Sequence, residues 1–209
     1  MTARDDVLAR IRSALADGAH PAGPIVRDYN TVGSRAPGAP ELVDLFEERL
    51  LDYRAFVRRT DAAGVPAAIA VIVGDRVPGG VVVAPAGLEP AWIDGLASVT
   101  DDGTLTTDRL DQMAAVLTGC SIAIAETGTI VLDGSADQGR RAISLVPDLH
   151  ICVVRADQIV ENVPDALRLI EPTRPLTFIS GGSATSDIEL QRVEGVHGPR
   201  TLEVVIVLH

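Results

Sequence analysis

Leu149-His150-Ile151-Cys152-Val153-Val154 decides the fold: a short apolar run between two helical patterns is a strand covered on both faces. Gly139 to Leu145 before it reads as a short helix, and Gln158 to Ile170 after it as a longer one. Towards the C-terminus, Leu176 to Ser180 and Leu202 to Leu208 are strands. Towards the N-terminus, strands are expected at Thr129–Leu132, Ser121–Ala125, Ala97–Thr100 and Gly80–Ala84, with helices at Thr107–Leu117 and Glu89–Leu96. Strand and helix alternate, so the fold class is α/β, a mostly parallel sheet flanked by helices.

Upstream, Pro66 to Val73 combines a helix-starting proline with Val and Ile, and is read as a helix. The strongest helical pattern is Glu41 to Ala63, where Leu42, Leu45, Phe46, Leu50, Tyr53 and Phe56/Val57 recur at three- and four-residue steps and Gly64 stands at the C-cap. Asp5 to Ala16 places Val7, Leu8, Ile11 and Leu15 on one helical face, with Thr2 or Asp5 to cap it, and Asp17 to Pro40 is a Gly-, Pro- and Ala-rich arm. The expected organisation is an N-terminal helix and arm over residues 1–40 and one α/β domain over 41–209.

Composition narrows the chemistry. The chain has 209 residues and is 46% hydrophobic but 3% aromatic, so Val, Ile, Leu and Ala must fill the core. A net charge of −11 argues against nucleic acid and anionic membrane as partners. The charged stretch Thr2–Ala16 and the lack of an apolar run near the roughly 18 residues of a membrane span predict a cytoplasmic protein. All 18 basic residues are arginine, which excludes a P-loop lysine and a Schiff-base lysine. Cys120 and Cys152 lie in apolar surroundings and read as buried structural thiols; a four-thiolate iron–sulfur cluster needs more ligands. The four histidines fit no metal spacing, and no bound metal is expected.

Two polar segments interrupt the apolar rhythm where strands end, which is where open α/β sheets bind ligands. The first is Glu126-Thr127-Gly128-Thr129, with a carboxylate, two hydroxyls and a glycine for close backbone approach. The second, Ser180-Gly181-Gly182-Ser183-Ala184-Thr185-Ser186-Asp187, follows a strand and precedes a segment with helical character, so its amides suit a phosphate or carboxylate. A β-turn with a solvated Glu126, and a helix capped by Ser183 or Thr185, are the structural alternatives. Arg140-Arg141 supplies fixed cations, and Glu194-Gly195-Val196-His197-Gly198 sets a histidine between glycines. These nominate Glu126 and His197 as candidate catalytic groups. Thr127, Gly128, Thr129, Arg140, Ser180, Gly181, Ser183, Thr185 and Asp187 are the candidate ligand-binding groups.

Four stretches, Ile124–Leu132, Arg140–Val154, Phe178–Glu189 and Val193–Arg200, taken together resemble the LUD-domain family of lactate utilization C proteins. The likeness is strong over 107–208 and looser before it. It implies a fold similar to the sugar-phosphate isomerase, CoA-transferase and formyltetrahydrofolate cyclo-ligase group. It also implies a part in oxidising L-lactate to pyruvate beside iron–sulfur partner proteins, which would carry the clusters this chain lacks. Where the family has Ser-Gly-Pro-Ser-Ala-Thr-Ala-Asp, this chain has Gly182 for the proline and Ser186 for the last alanine, so its loop is less rigid. The expected partners are those iron–sulfur proteins and a small anionic ligand; self-association is compatible with the reading. Two other functions stand beside it: an independent acyl- or CoA-transferase-like or ligase-like enzyme with Glu126 as nucleophile, and a non-catalytic adaptor or regulatory subunit.

Overall fold

The computed structural model describes residues 2–16, 23, 26–27, 32–185, 193–195 and 197–208. Chain contacts divide the protein into two compact units, 1–30 and 31–209. In the first, helix α1 (Ala3–Ala16) begins where Thr2 Oγ1 accepts from the Asp5 amide at 3.4 Å and Asp5 Oδ2 accepts from the Thr2 amide at 2.9 Å. That reciprocal cap satisfies donors a helix N-terminus otherwise leaves open. No residue of α1 is buried, and Val7, Ile11 and Leu15 stay exposed.

The second unit opens with residues 33–35 clamped by two carboxylates: the Gly33 amide donates to Asp165 at 2.9 Å, and Arg35 pairs with Glu161 at 2.6 Å. Helix α2 (Pro40–Asp52) follows, with Pro40 in its first turn and Leu42, Val43, Phe46 and Leu50 buried. It stops eleven residues before the expected end at Ala63. Arg54 takes φ +61°, the Arg54 amide donates to Leu51 O at 2.9 Å and the Ala55 amide to Leu50 O at 3.0 Å, the paired bonds of a Schellman cap with arginine in glycine's place. Strand β1 (Phe56–Thr60) and helix α3 (Val65–Arg76) come next, the latter as expected.

Strands β2 (Val82–Pro85) and β3 (Ser98–Asp101) are separated by a single 3-10 turn at Pro90–Trp92 where a helix over Glu89–Leu96 was expected. Helix α4 (Thr107–Asp111) also ends early, and Ala115 to Leu117, expected as its last turn, belong to strand β4 (Ala115–Thr118). Its four residues are buried, and it pairs with a strand on either side. Such a position has no polar face to mark it as a strand.

Next come β5 (Ile122–Ile124), β6 (Thr129–Leu132), α5 (Arg141–Leu145) and β7 (Leu149–Arg155). The helix expected over Gln158–Ile170 begins only at Val163: Ile159–Val160 is a short strand, β8, and α6 covers Val163–Leu169 behind an Asn162 cap. The chain ends with β9 (Thr177–Ile179), the pair β10 (Ala184–Thr185) and β11 (Val193–Glu194), and β12 (Thr201–Val207).

Six strands form one parallel sheet in the order β1-β12-β7-β4-β2-β3. One face packs against α3 through Ile69, Ile72, Leu117, Ile151 and Val205. Against the other lie α2 and a second sheet, β8-β5-β6-β9, whose Ala123, Ile130 and Leu132 meet Phe46, Cys152 and Val204. The opposite face of that second sheet, with Ile122, Ile124 and Val131, packs on Ala166 of α6. Cys120 and Cys152 are free thiols buried in the layer between the sheets, as their sequence surroundings indicate. Among the described residues, no helix is long and apolar enough to cross a membrane.

Candidate functional site

Strand β9 leaves the second sheet at Ser180 and turns sharply at Gly181, whose φ of +81° and approach to Tyr53 leave no room for a side chain. The chain then meets the segment before β12. The Ser183 amide donates to Pro199 O at 2.7 Å, Ser183 Oγ accepts from the His197 amide at 3.0 Å, and the Gly195 amide donates to Ser183 O at 2.8 Å. Residues 180–183 are thereby zipped to Gly195 and to residues 197–199 in one wall.

That wall faces α5 and the start of β7 across a cavity of about 320 Å³, lined by Arg141, Ser144, His150, Thr177, Ser180, Gly181, Ser183 and His197, among others. The two neighbouring arginines behave differently here. Arg140 is bound bidentately to Asp101, at 2.8 and 2.9 Å, so its guanidinium is occupied by a carboxylate of the protein. The Arg141 carbonyl accepts from Ser144 Oγ at 3.1 Å, but its guanidinium makes no hydrogen bond or ion pair among the described residues. A planar guanidinium on a cavity wall beside hydroxyls and glycine amides is equipped to hold a carboxylate.

A second cavity of about 420 Å³ shares Arg141, Ser144 and Thr177 with the first and reaches Ala86 and Asp101 at the carboxyl ends of β2 and β3. Over those ends lies the loop after β6, held where the Gly87 amide donates to Ala136 O at 3.0 Å and the Gly119 amide to Asp137 O at 2.9 Å.

The two polar turns singled out in the sequence do meet. Thr127 Oγ1 is 2.7 Å from Thr129 Oγ1, which is 2.8 Å from Ser180 Oγ. They meet at the rim of the smaller, mixed sheet, because β6 and β9 are antiparallel neighbours there, and not at the carboxyl end of the parallel sheet. Ser180, Gly181, Ser183 and His197 line the 320 Å³ cavity; Glu126, Thr127, Gly128 and Thr129 do not. Glu126 is exposed, and its amide donates to Glu161 O at 3.1 Å. The backbone of Thr185 lies in β10, paired with Val193, so the glycine- and serine-rich run leads into a strand pair and not a helix start. Asp187 falls outside the described residues.

Sequence reasoning passed over His150. It is 1% exposed, Nε2 lies 2.8 Å from Thr118 Oγ1, and Nδ1 has no hydrogen-bond partner among the described residues. Burial pushes its pKa down to about 4, so the ring is neutral at physiological pH. The available signal was a polar side chain inside an otherwise apolar strand run, where every buried polar group needs a reason.

Residues 84–207 match the family model of the LUD domain, a span that holds every residue named on the cavity wall. The chain belongs to the LUD domain family. It is 52% identical over 172 residues to lactate utilization protein C of Deinococcus radiodurans, covering 80% of each chain. It is 28% identical over 190 residues to lactate utilization protein C of Bacillus velezensis, covering 80% of this chain and 78% of that one. A crystal structure of a DUF162 family protein from Deinococcus radiodurans superposes with a TM-score of 0.68 at 43% identity, over 80% of this chain and 96% of that chain. The LUD domain here thus has the α/β fold, with its mostly parallel sheet flanked by helices, that the sequence led us to expect.

Proposed function

We propose that this protein serves in the utilization of L-lactate, in its oxidation to pyruvate beside iron–sulfur partner proteins, and that the cavity around Arg141 holds the small carboxylate. The observation that carries the reading is the 52% identity, over 80% of both chains, to a protein named lactate utilization protein C. The cavity's chemistry supports it. On a chain of net charge −11 an anion must be met by a local cation, and Arg141 is a guanidinium without a partner among the described residues, beside Ser180, Ser183 and the Gly181 backbone. A volume of about 320 Å³ accommodates a three-carbon acid with its water. With two cysteines, both buried, the chain has no thiolate set for a cluster, and electrons leaving lactate are assigned to the partners.

Deletion of the gene tests the reading. Growth on L-lactate as sole carbon source should be lost while growth on pyruvate persists; undiminished growth on L-lactate contradicts it.

A further inference from the structure

His150 is carried by β7 on the face that looks towards the second sheet, the same face as Cys152 and Val154. It lines the 320 Å³ cavity, is buried, and leaves Nδ1 without a partner. An unpaired buried nitrogen is a standing cost to the fold, and a ligand atom that meets it removes that cost.

What Nδ1 offers depends on the Thr118 hydroxyl. Two acceptors lie within its reach, His150 Nε2 at 2.8 Å and Cys152 Sγ at 3.8 Å. With the hydroxyl donating to Nε2, the neutral ring keeps its proton on Nδ1, which becomes a donor. With the hydroxyl turned to the sulfur, Nε2 carries the proton and donates to Thr118 Oγ1, and Nδ1 becomes an acceptor. Cys152 spends its own S–H on Gly119 O at 3.5 Å, so its lone pairs remain open to the hydroxyl. Both arrangements satisfy Nε2 and the Thr118 hydroxyl and leave Nδ1 to a ligand. One nitrogen can therefore serve a ligand atom that donates and one that only accepts.

We propose that His150 is the specificity-determining residue for the C2 oxygen of a small 2-hydroxy or 2-oxo acid, Nδ1 accepting from the alcohol of the first and donating to the ketone of the second. Arg141, on the same cavity wall, takes the carboxylate. The ligand class rests on the function proposed above; the role of His150 in reading it is separate and separately testable.

Calorimetric titration of the full chain with L-lactate, pyruvate and propionate makes the test, since propionate is lactate without its C2 oxygen. The unmodified protein should bind lactate and pyruvate at least tenfold more tightly than propionate, and His150→Phe should bind all three as weakly as propionate. If His150→Phe keeps the preference, the role of His150 is overturned while the cavity's ligand class stands. If the unmodified protein binds none of the three acids, both fall. A second readout avoids substitution: with 15N-histidine label, the Nδ1 resonance of the ring that stays neutral near pH 6 should move towards the unprotonated position with lactate and towards the protonated position with pyruvate. A resonance indifferent to both acids overturns the assignment.

Discussion

Thr129 and Ser180 stand 51 positions apart in the chain, yet their side-chain oxygens are 2.8 Å apart. The bond joins the β5–β6 turn to the residue that leaves β9, and Thr127 extends it to a row of three hydroxyls. Ser180 is the member that lines the cavity, so the row ties the cavity wall to the second sheet. Thr129→Val keeps the shape and removes the middle hydroxyl. Urea unfolding should show a loss of about 1–2 kcal/mol; an unchanged midpoint would mean the row contributes nothing.

Gly181 allows the sharp exit from β9. At φ +81° an added Cβ would lie 2.6 Å from Tyr53 Cβ and 2.7 Å from Tyr53 O. Gly181→Ala should destabilise by about 2 kcal/mol or more, from the backbone conformation and the clash together. Thermal unfolding is the check, with a fall in Tm of about 4–8 °C expected for a chain of this size.

Arg140 and Asp101 form a bidentate pair in which the Asp101 side chain is 3% exposed and the Arg140 side chain 37%. Arg140→Gln strands a buried carboxylate, and the expected loss is about 2 kcal/mol once the arginine's partial exposure is discounted. Denaturant titration above pH 7 measures it. Asp101→Asn, which removes the charge as well as the pair, should cost less.

His150 gives stability a defined dependence on pH. Its buried ring stays neutral down to about pH 4, whereas a histidine in the unfolded chain takes a proton near pH 6.5. Between those values the unfolded state binds the extra proton. Stability therefore falls as pH is lowered from about 6.5 to about 4, by up to roughly 3 kcal/mol for this group, and is level with respect to it above 6.5. The difference between wild type and His150→Phe, followed by urea unfolding at successive pH values, isolates the effect. Parallel curves would contradict it.

The sequence revealed the α/β alternation because β7 and β12 are long apolar runs set off by polar turns. It hid β1 and β4 for two different reasons. Phe56 and Val57 fall in register with the helical spacing of α2, and the cap that ends that helix uses Arg54 where a pattern reader looks for glycine. Leu117 likewise continues the spacing of Leu110 and Ala114, and a short strand buried on both faces offers no alternation to separate it from a helix. At the site, Ser180, Ser183 and His197 were legible as polar groups among glycines at a strand's end. Two things were not: that the Arg141 guanidinium has no partner among the described residues where Arg140 is occupied, since Asp101 lies 39 residues from its partner, and that His150 pairs with Thr118, 32 residues away. Both follow from tertiary pairing, which no local pattern encodes.

The cavity wall bearing Arg141, Ser180 and Ser183 is proposed to hold a small carboxylate through a guanidinium that no group among the described residues occupies. Titration of Arg141→Gln with L-lactate, beside the unmodified chain, tests it most directly. The unmodified protein should bind, and the variant should bind at least tenfold more weakly with folding intact by circular dichroism. Equal affinity in the two proteins would contradict it.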